Sequence, residues 1–141
     1  RGEWLRSVGR FEESIAYFDS ARLQAEARIA LNPDEWREYG DLALSLAKLG
    51  ECEKALDWAM KEIAFMPISR DAMLGANALE DLADTYLICN MHDLAISTLE
   101  KLLSVPCPVN VNELKLSPWY DPLRENPRFI DLLNKYSTPD I

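Results

Sequence analysis

Apolar residues recur along this chain at three- and four-residue steps, the spacing of one face of a helix. From Asn32 to Pro67 the stripe Tyr39, Leu42, Ala43, Leu46 and Leu49 is followed, across Gly50, by Cys52, Ala55, Leu56, Ala59 and Ile63. Asn32-Pro33-Asp34-Glu35 carries helix-start signals, with Asn32 as cap, Pro33 at the first helical position and Glu35 as capping-box partner. Gly50 is expected to stop the first helix and Pro67 the second. Two helices of about 15 residues joined with almost no loop are predicted to pack antiparallel, as an αα-hairpin.

The same pattern recurs. Leu79, Leu82, Ala83 and Tyr86 reproduce the spacing of Tyr39, Leu42, Ala43 and Leu46, and Asn90 stands where Gly50 does. Asparagine is the next residue after glycine to tolerate a left-handed conformation. Ala95 and Leu99 then repeat Ala55 and Ala59, and Pro106 and Pro108 flank the place of Pro67. At the N-terminus, Gly9, Phe11, Ser14, Ile15, Phe18 and Ala21 match the second half of the hairpin. The turn residues 9, 50 and 90 lie 41 and 40 positions apart, so the chain is internally periodic.

This periodicity resembles the tetratricopeptide repeat, whose signature runs from a large apolar residue through Leu-small and Tyr to a turn, an Ala, a bulky residue and a closing Pro. Tyr39-x2-Leu42-Ala43-x2-Leu46…Gly50…Ala55…Pro67 carries the resemblance, as does Leu79-x2-Leu82-Ala83-x2-Tyr86…Asn90…Ala95-x3-Leu99. The family's period is about 34, so each interval here holds six or seven additional residues. They are expected to lengthen the second helix of the first unit through Ile29-Ala30-Leu31 and the first helix of the third from Ser69. The resemblance implies an all-α fold, a TPR-like α-solenoid of helical hairpins closed by a C-terminal capping helix. Its units span about 1–31, 32–67 and 69–105, with a tail over 106–141, all within one domain. Only about two turns precede Gly9, so the first helix of the first unit is cut short, and the chain is expected to be a fragment of a longer protein.

The tail departs from the repeat. Val105 to Leu123 is Pro-rich and is expected to be irregular; Asn126 then caps a helix with Pro127 at its first position and the stripe Phe129, Leu132, Leu133 and Tyr136. Such an element suits the exposed end of a stack. Trp119-Tyr120-Asp121-Pro122-Leu123-Arg124 and Pro127-Arg128-Phe129 resemble tails that follow tetratricopeptide repeats in multidomain bacterial signalling proteins. That resemblance implies a regulatory or sensing module.

Composition narrows the partners. The chain has 141 residues and a net charge of −9, with 24 acidic against 15 basic residues. Such a surface disfavours nucleic acid and anionic lipid, which bind through Lys and Arg. No apolar run approaches the ~18 residues needed to span a bilayer. The three cysteines, Cys52, Cys89 and Cys107, lack framework spacing, which favours a reducing, cytoplasmic setting.

Catalytic chemistry finds little support. His92 is the single histidine; with Cys89 and Asp93 it falls short of the four ligands of a structural zinc site. It stands at the repeat position of Phe11 and Cys52 and is expected to pack a turn. No phosphate loop, G-x-S-x-G or H-E-x-x-H is present, so no catalytic residue, metal or cofactor is expected. Trp4, Trp36, Trp58 and Trp119 are read as core, and Met60, Met66, Met73 and Met91 as gap-fillers between helices.

In the resembling family the first helix of each hairpin lines a groove. Carried over, the groove residues are Arg37, Asp41 and Leu44 from the second unit and Asn77, Glu80, Asp81 and Asp84 from the third. The cations with which some members grip a carboxylate terminus are largely missing. A basic or amphipathic protein segment is the expected partner; carboxylates that only keep the groove soluble fit the same pattern. Self-association into a homodimer is the alternative function.

Overall fold

Three turns of the same backbone construction divide the chain. In the computed structural model, which describes residues 2–106 and 109–137 and only the backbone of Trp4, Gly9, Gly50 and Asn90 have φ of 78°, 84° and 58°. Their amides donate to the carbonyls of Arg6, Ala47 and Leu87 at 3.2, 3.0 and 3.1 Å. The next amides, of Arg10, Glu51 and Met91, reach back to Leu5, Leu46 and Tyr86 at 2.8, 2.9 and 2.8 Å. This pair of bonds is the Schellman arrangement, which satisfies carbonyls a helix end leaves open. After each turn the fifth residue, Ser14, Ala55 or Ala95, is buried.

The helices follow from these stops. α1 (Gly2–Ser7) and α2 (Phe11–Leu31) flank the first turn, α3 (Arg37–Lys48) and α4 (Cys52–Phe65) the second, and α5 (Ala72–Ile88) and α6 (His92–Leu103) the third. Consecutive members of α1 to α5 touch, as do α5 and α6, and α3 also reaches α5. α7 (Val111–Leu116), a 3-10 segment (Pro118–Leu123) and α8 (Pro127–Tyr136) form the tail, with α8 against α6 and α7. All regular structure among the described residues is helical. No helix among them is long and apolar enough to cross a membrane.

One core layer joins α5 and α6 to the tail, where Leu99, Leu102, Leu114, Leu123 and Phe129 are sealed from solvent. Burying side chains of this size contributes roughly 1.5–3 kcal/mol each, enough to bind the tail to the third helix pair. A second layer packs Ala25 of α2 with Leu42, Leu46, Ala47 and Ala55, and a third brings Ala43, Ala59 and Leu82 together where α3, α4 and α5 meet.

Several expectations need correction. Asn32 Oδ1 does accept the Asp34 amide at 3.3 Å, but residues 33–36 form a turn and α3 begins at Arg37 rather than at Pro33. The segment from Val105 to Leu123 is not simply irregular: Asn110 and Ser117 cap α7 and the 3-10 segment by accepting the Glu113 and Trp119 amides. Pro108 lies outside the described residues. Met60, Met73 and Met91 are exposed, and only Met66 fills a gap in the interior. α2 does extend through Leu31, and Asn126 caps α8 by accepting the Arg128 amide at 3.0 Å.

The cysteine reading also changes. Cys52 at the start of α4 and Cys89 at the end of α5 form a disulfide, with Cα atoms 5.9 Å apart. Such bonds persist in oxidising surroundings, so the pairing removes the argument for a reducing setting. Cys107 lies outside the described residues.

Candidate functional site

Helical spacing places Asp41, Leu44, Ser45 and Lys48 along one side of α3. With Phe18, Arg28 and Glu38 they line a cavity of about 260 Å³ between α2 and α3. Leu44 and Lys48 also border a second cavity of about 310 Å³, completed by Glu80 and Asp84 of α5 and by Glu113, Trp119 and Tyr120 of the tail. The two cavities therefore meet along Leu44 and Lys48.

Of the residues expected to form a groove, Asp41, Leu44, Glu80 and Asp84 line these cavities. Arg37 does not: its guanidinium lies 4.7 Å over the Trp36 ring and 3.5 Å from Glu35. Asn77 is exposed on α5 and lines neither cavity. Asp81 turns inward to meet Glu62 of α4, where both carboxyls face Gly40. Glu62, Glu113 and Trp119 had no place in the repeat-based reading, because α4 and the tail are not its groove-lining elements.

The cavities are electrostatically uneven. Burial raises the Asp41 carboxyl, Glu38 raises it further, and Arg28 offsets part of the effect. Burial likewise raises Glu80, with Asp84 and Glu113 adding repulsion. Asp84 is pushed up to about 6 by burial, although the Trp119 indole and Lys48 both favour its charged form. Arg28 pairs with Glu38 at 3.1 Å and Lys48 with Glu3 at 2.7 Å. The cations at hand are thus already engaged, while carboxylates on α3 and α5 remain undercompensated.

Glu62 and Asp81 form a separate feature beneath α3. Burial pushes Glu62 up to about 9, reinforced by Asp81, and burial also raises Asp81. Glu62 Oε2 is sealed from solvent and has no hydrogen-bond partner. The neighbouring Asp81 carboxyl can bond to it only when one of the two carboxyls carries a proton.

The other aromatic and titratable groups sit elsewhere. Tyr39 packs on Trp58 and Phe65 with ring centroids 5.5 and 6.2 Å away, and Lys61 lies 4.0 Å over Trp58. His92 is half-buried at the start of α6, beside the third turn. No group of three or more His, Cys, Asp or Glu among the described residues is arranged to hold a metal ion. What the cavities can offer chemically is charge: several carboxylates and a small apolar ridge. No family model matches the chain, and comparison with curated proteins and with solved structures finds no match.

Proposed function

We propose that this chain is a non-catalytic protein-interaction scaffold of the tetratricopeptide type, a regulatory or sensing module of a larger signalling protein. It holds a basic or amphipathic protein segment against α3 and α5. The observation that carries this reading is the pair of adjoining cavities whose rims supply Asp41, Glu80, Asp84 and Glu113 around Leu44. Lys or Arg from a partner would relieve the repulsion among these carboxylates, while Leu44 gives an apolar side chain a contact.

A synthetic amphipathic Lys/Leu peptide, with a Glu/Leu peptide as control, tests it. The Lys/Leu peptide is expected to bind with an affinity that falls as salt rises. Glu80→Gln with Asp84→Asn is expected to weaken it by about tenfold, a typical size for losing two close charge pairs. Glu53→Gln with Asp57→Asn, an equal charge change at exposed positions of α4, should leave affinity almost unchanged. Equal effects of the two double variants would refute a groove-specific site.

A second reading, self-association, rests on Val8, Phe11 and Ile15, which are 49%, 59% and 52% exposed around the first turn. Phe11 and Ile15 share one face of α2 and Val8 lies across the turn from them, and exposed apolar side chains of this kind are suited to a second copy. Sedimentation at increasing protein concentration decides it: a monomer throughout eliminates this reading.

A further inference from the structure

Gly40 on α3, Glu62 on α4 and Asp81 on α5 occupy the point where three helices meet. A Cβ on Gly40 would lie 2.7 and 2.9 Å from the two Glu62 carboxyl oxygens and closer still to Asp81 Oδ2. Only a residue without a side chain lets α3 descend onto the two acids. Glu62 is 1% exposed, so water does not solvate it.

Among the described residues, no basic group acts on this pair. On α3, Asp41 faces the pair and adds repulsion. On α5, Asp84 and Glu80 do the same to Asp81. Arg28 of α2 is directed to Glu38 and Asp41, and Lys48 to Glu3 and Asp84. Lys61, next to Glu62 in sequence, lies over the Trp58 ring. From α6 the inward residues are Ala95, Ile96, Thr98, Leu99 and Leu102, none of them charged, and in the tail the acid Glu113 faces Glu80 and Asp84 rather than the pair. Two carboxylates in mutual contact and away from cations repel strongly, whereas one carboxylic acid and one carboxylate form a short charged hydrogen bond.

We propose that the Glu62–Asp81 pair is a proton-operated clamp: one shared proton ties α4 to α5 beneath α3, and its release at alkaline pH loosens that junction. The release is a simple acid dissociation, in which the carboxyl O–H gives its proton to hydroxide or buffer base and both side chains become anions. The turns at Gly50 and Asn90 do not involve this proton, so each helix pair stays closed at its turn. What weakens is the junction between them.

The sign follows from the direction of the shifts. A carboxyl whose folded pKa lies above its unfolded value stabilises fully below the unfolded carboxylate range, and that contribution is lost as pH rises through the folded pKa. For Glu62 the window extends up to about 9. The thermal midpoint of the wild-type chain is therefore expected to fall by at least about 5 °C between pH 6 and pH 9. Glu62→Gln, whose amide donates to Asp81 without a titrating proton, is expected to lose most of that fall. A wild-type curve parallel to that of Glu62→Gln would overturn the clamp. Infrared spectra of the wild-type chain, assigned by the loss of a band in Glu62→Gln or Asp81→Asn, give a reading independent of stability. A protonated-carboxyl stretch present at pH 7 and lost by pH 10 supports the clamp, and its absence at pH 7 overturns it, even where a variant fails to fold.

Discussion

Trp119 and Asp84, 35 residues apart, are joined by an indole N–H that donates to the carboxylate at 2.7 Å. The bond ties the 3-10 segment of the tail to α5 and brings an aromatic ring to the wall of the second cavity. It also favours the charged form of an acid that burial would otherwise neutralise. Trp119→Phe keeps a ring but removes the donor, leaving a half-buried carboxylate without its partner. A loss of about 1–3 kcal/mol in chemical denaturation is expected, together with an Asp84 pKa above its wild-type value of about 6 in a carboxyl NMR titration. An unchanged titration would mean that the bond is absent in solution.

Asp84→Asn should act in a pH-dependent way. The raised carboxyl stabilises fully at low pH and loses that contribution as pH rises through about 6. An amide avoids the loss. Relative to wild type, the variant is expected to gain stability between pH 5 and pH 8, and melting curves at the two pH values measure the difference.

Two glycines permit close approach by their lack of a side chain. Gly40 lies against Glu62 and Asp81, and a Cβ on Gly75 would meet Ile68 N at 2.5 Å and Ile68 Cα at 2.7 Å. Alanine in a helix is normally better than glycine by up to about 1 kcal/mol. At these two sites the order is expected to reverse, with losses of about 1–3 kcal/mol from overpacking. Gly75→Ala should cost more than Gly40→Ala, because it presses on backbone rather than on side chains. Urea titrations of the two variants compare them directly.

The three left-handed turns behave differently. Nothing lies within 4 Å of a Cβ at Gly50, where φ is 84°. Gly50→Ala is therefore expected to cost about 1–2 kcal/mol through backbone conformation alone. Asn90→Gly should be neutral or mildly stabilising, while Asn90→Ala destabilises. Thermal melts of these variants separate conformational cost from steric cost.

The periodicity was legible because these turns demand a chemically rare conformation, which among the described residues Gly9, Gly50 and Asn90 supply at regular intervals. The cap at Asn126 was legible for a similar local reason. The start of α3 was not: Asn32 and Pro33 satisfy a helix start and a turn equally well, and the chain takes the turn, with Trp36 buried at its end. Glu62 was legible only in part. Helical spacing sets it on the buried stripe of Ala55, Ala59 and Met66, but what it meets there is not local, because Gly40 and Asp81 arrive from other helices. The pairing of Cys52 with Cys89 follows from α4 lying beside α5, a relation between elements that spacing within one helix does not contain.

Reducing the disulfide should be costly. The bond closes a loop with a sequence separation of 37 residues. Loop-closure entropy for that length corresponds to about 3–4 kcal/mol. Cys52→Ser with Cys89→Ser is expected to lower stability by an amount of that order, measured by urea denaturation. The wild type under a dithiol reductant should match the variant.

The same bond changes how the chain carries tension. If the two ends of the chain are pulled apart, load passes from Cys52 to Cys89 through the sulfurs and bypasses α4, the connecting turn and α5. Those elements can open thermally but cannot be extended, so roughly 125 Å of contour, at about 3.4 Å per residue, is withheld from stretching. Only α4 and α5 are thus sheltered from force, whereas α1 to α3 on one side and α6 with the tail on the other bear it directly.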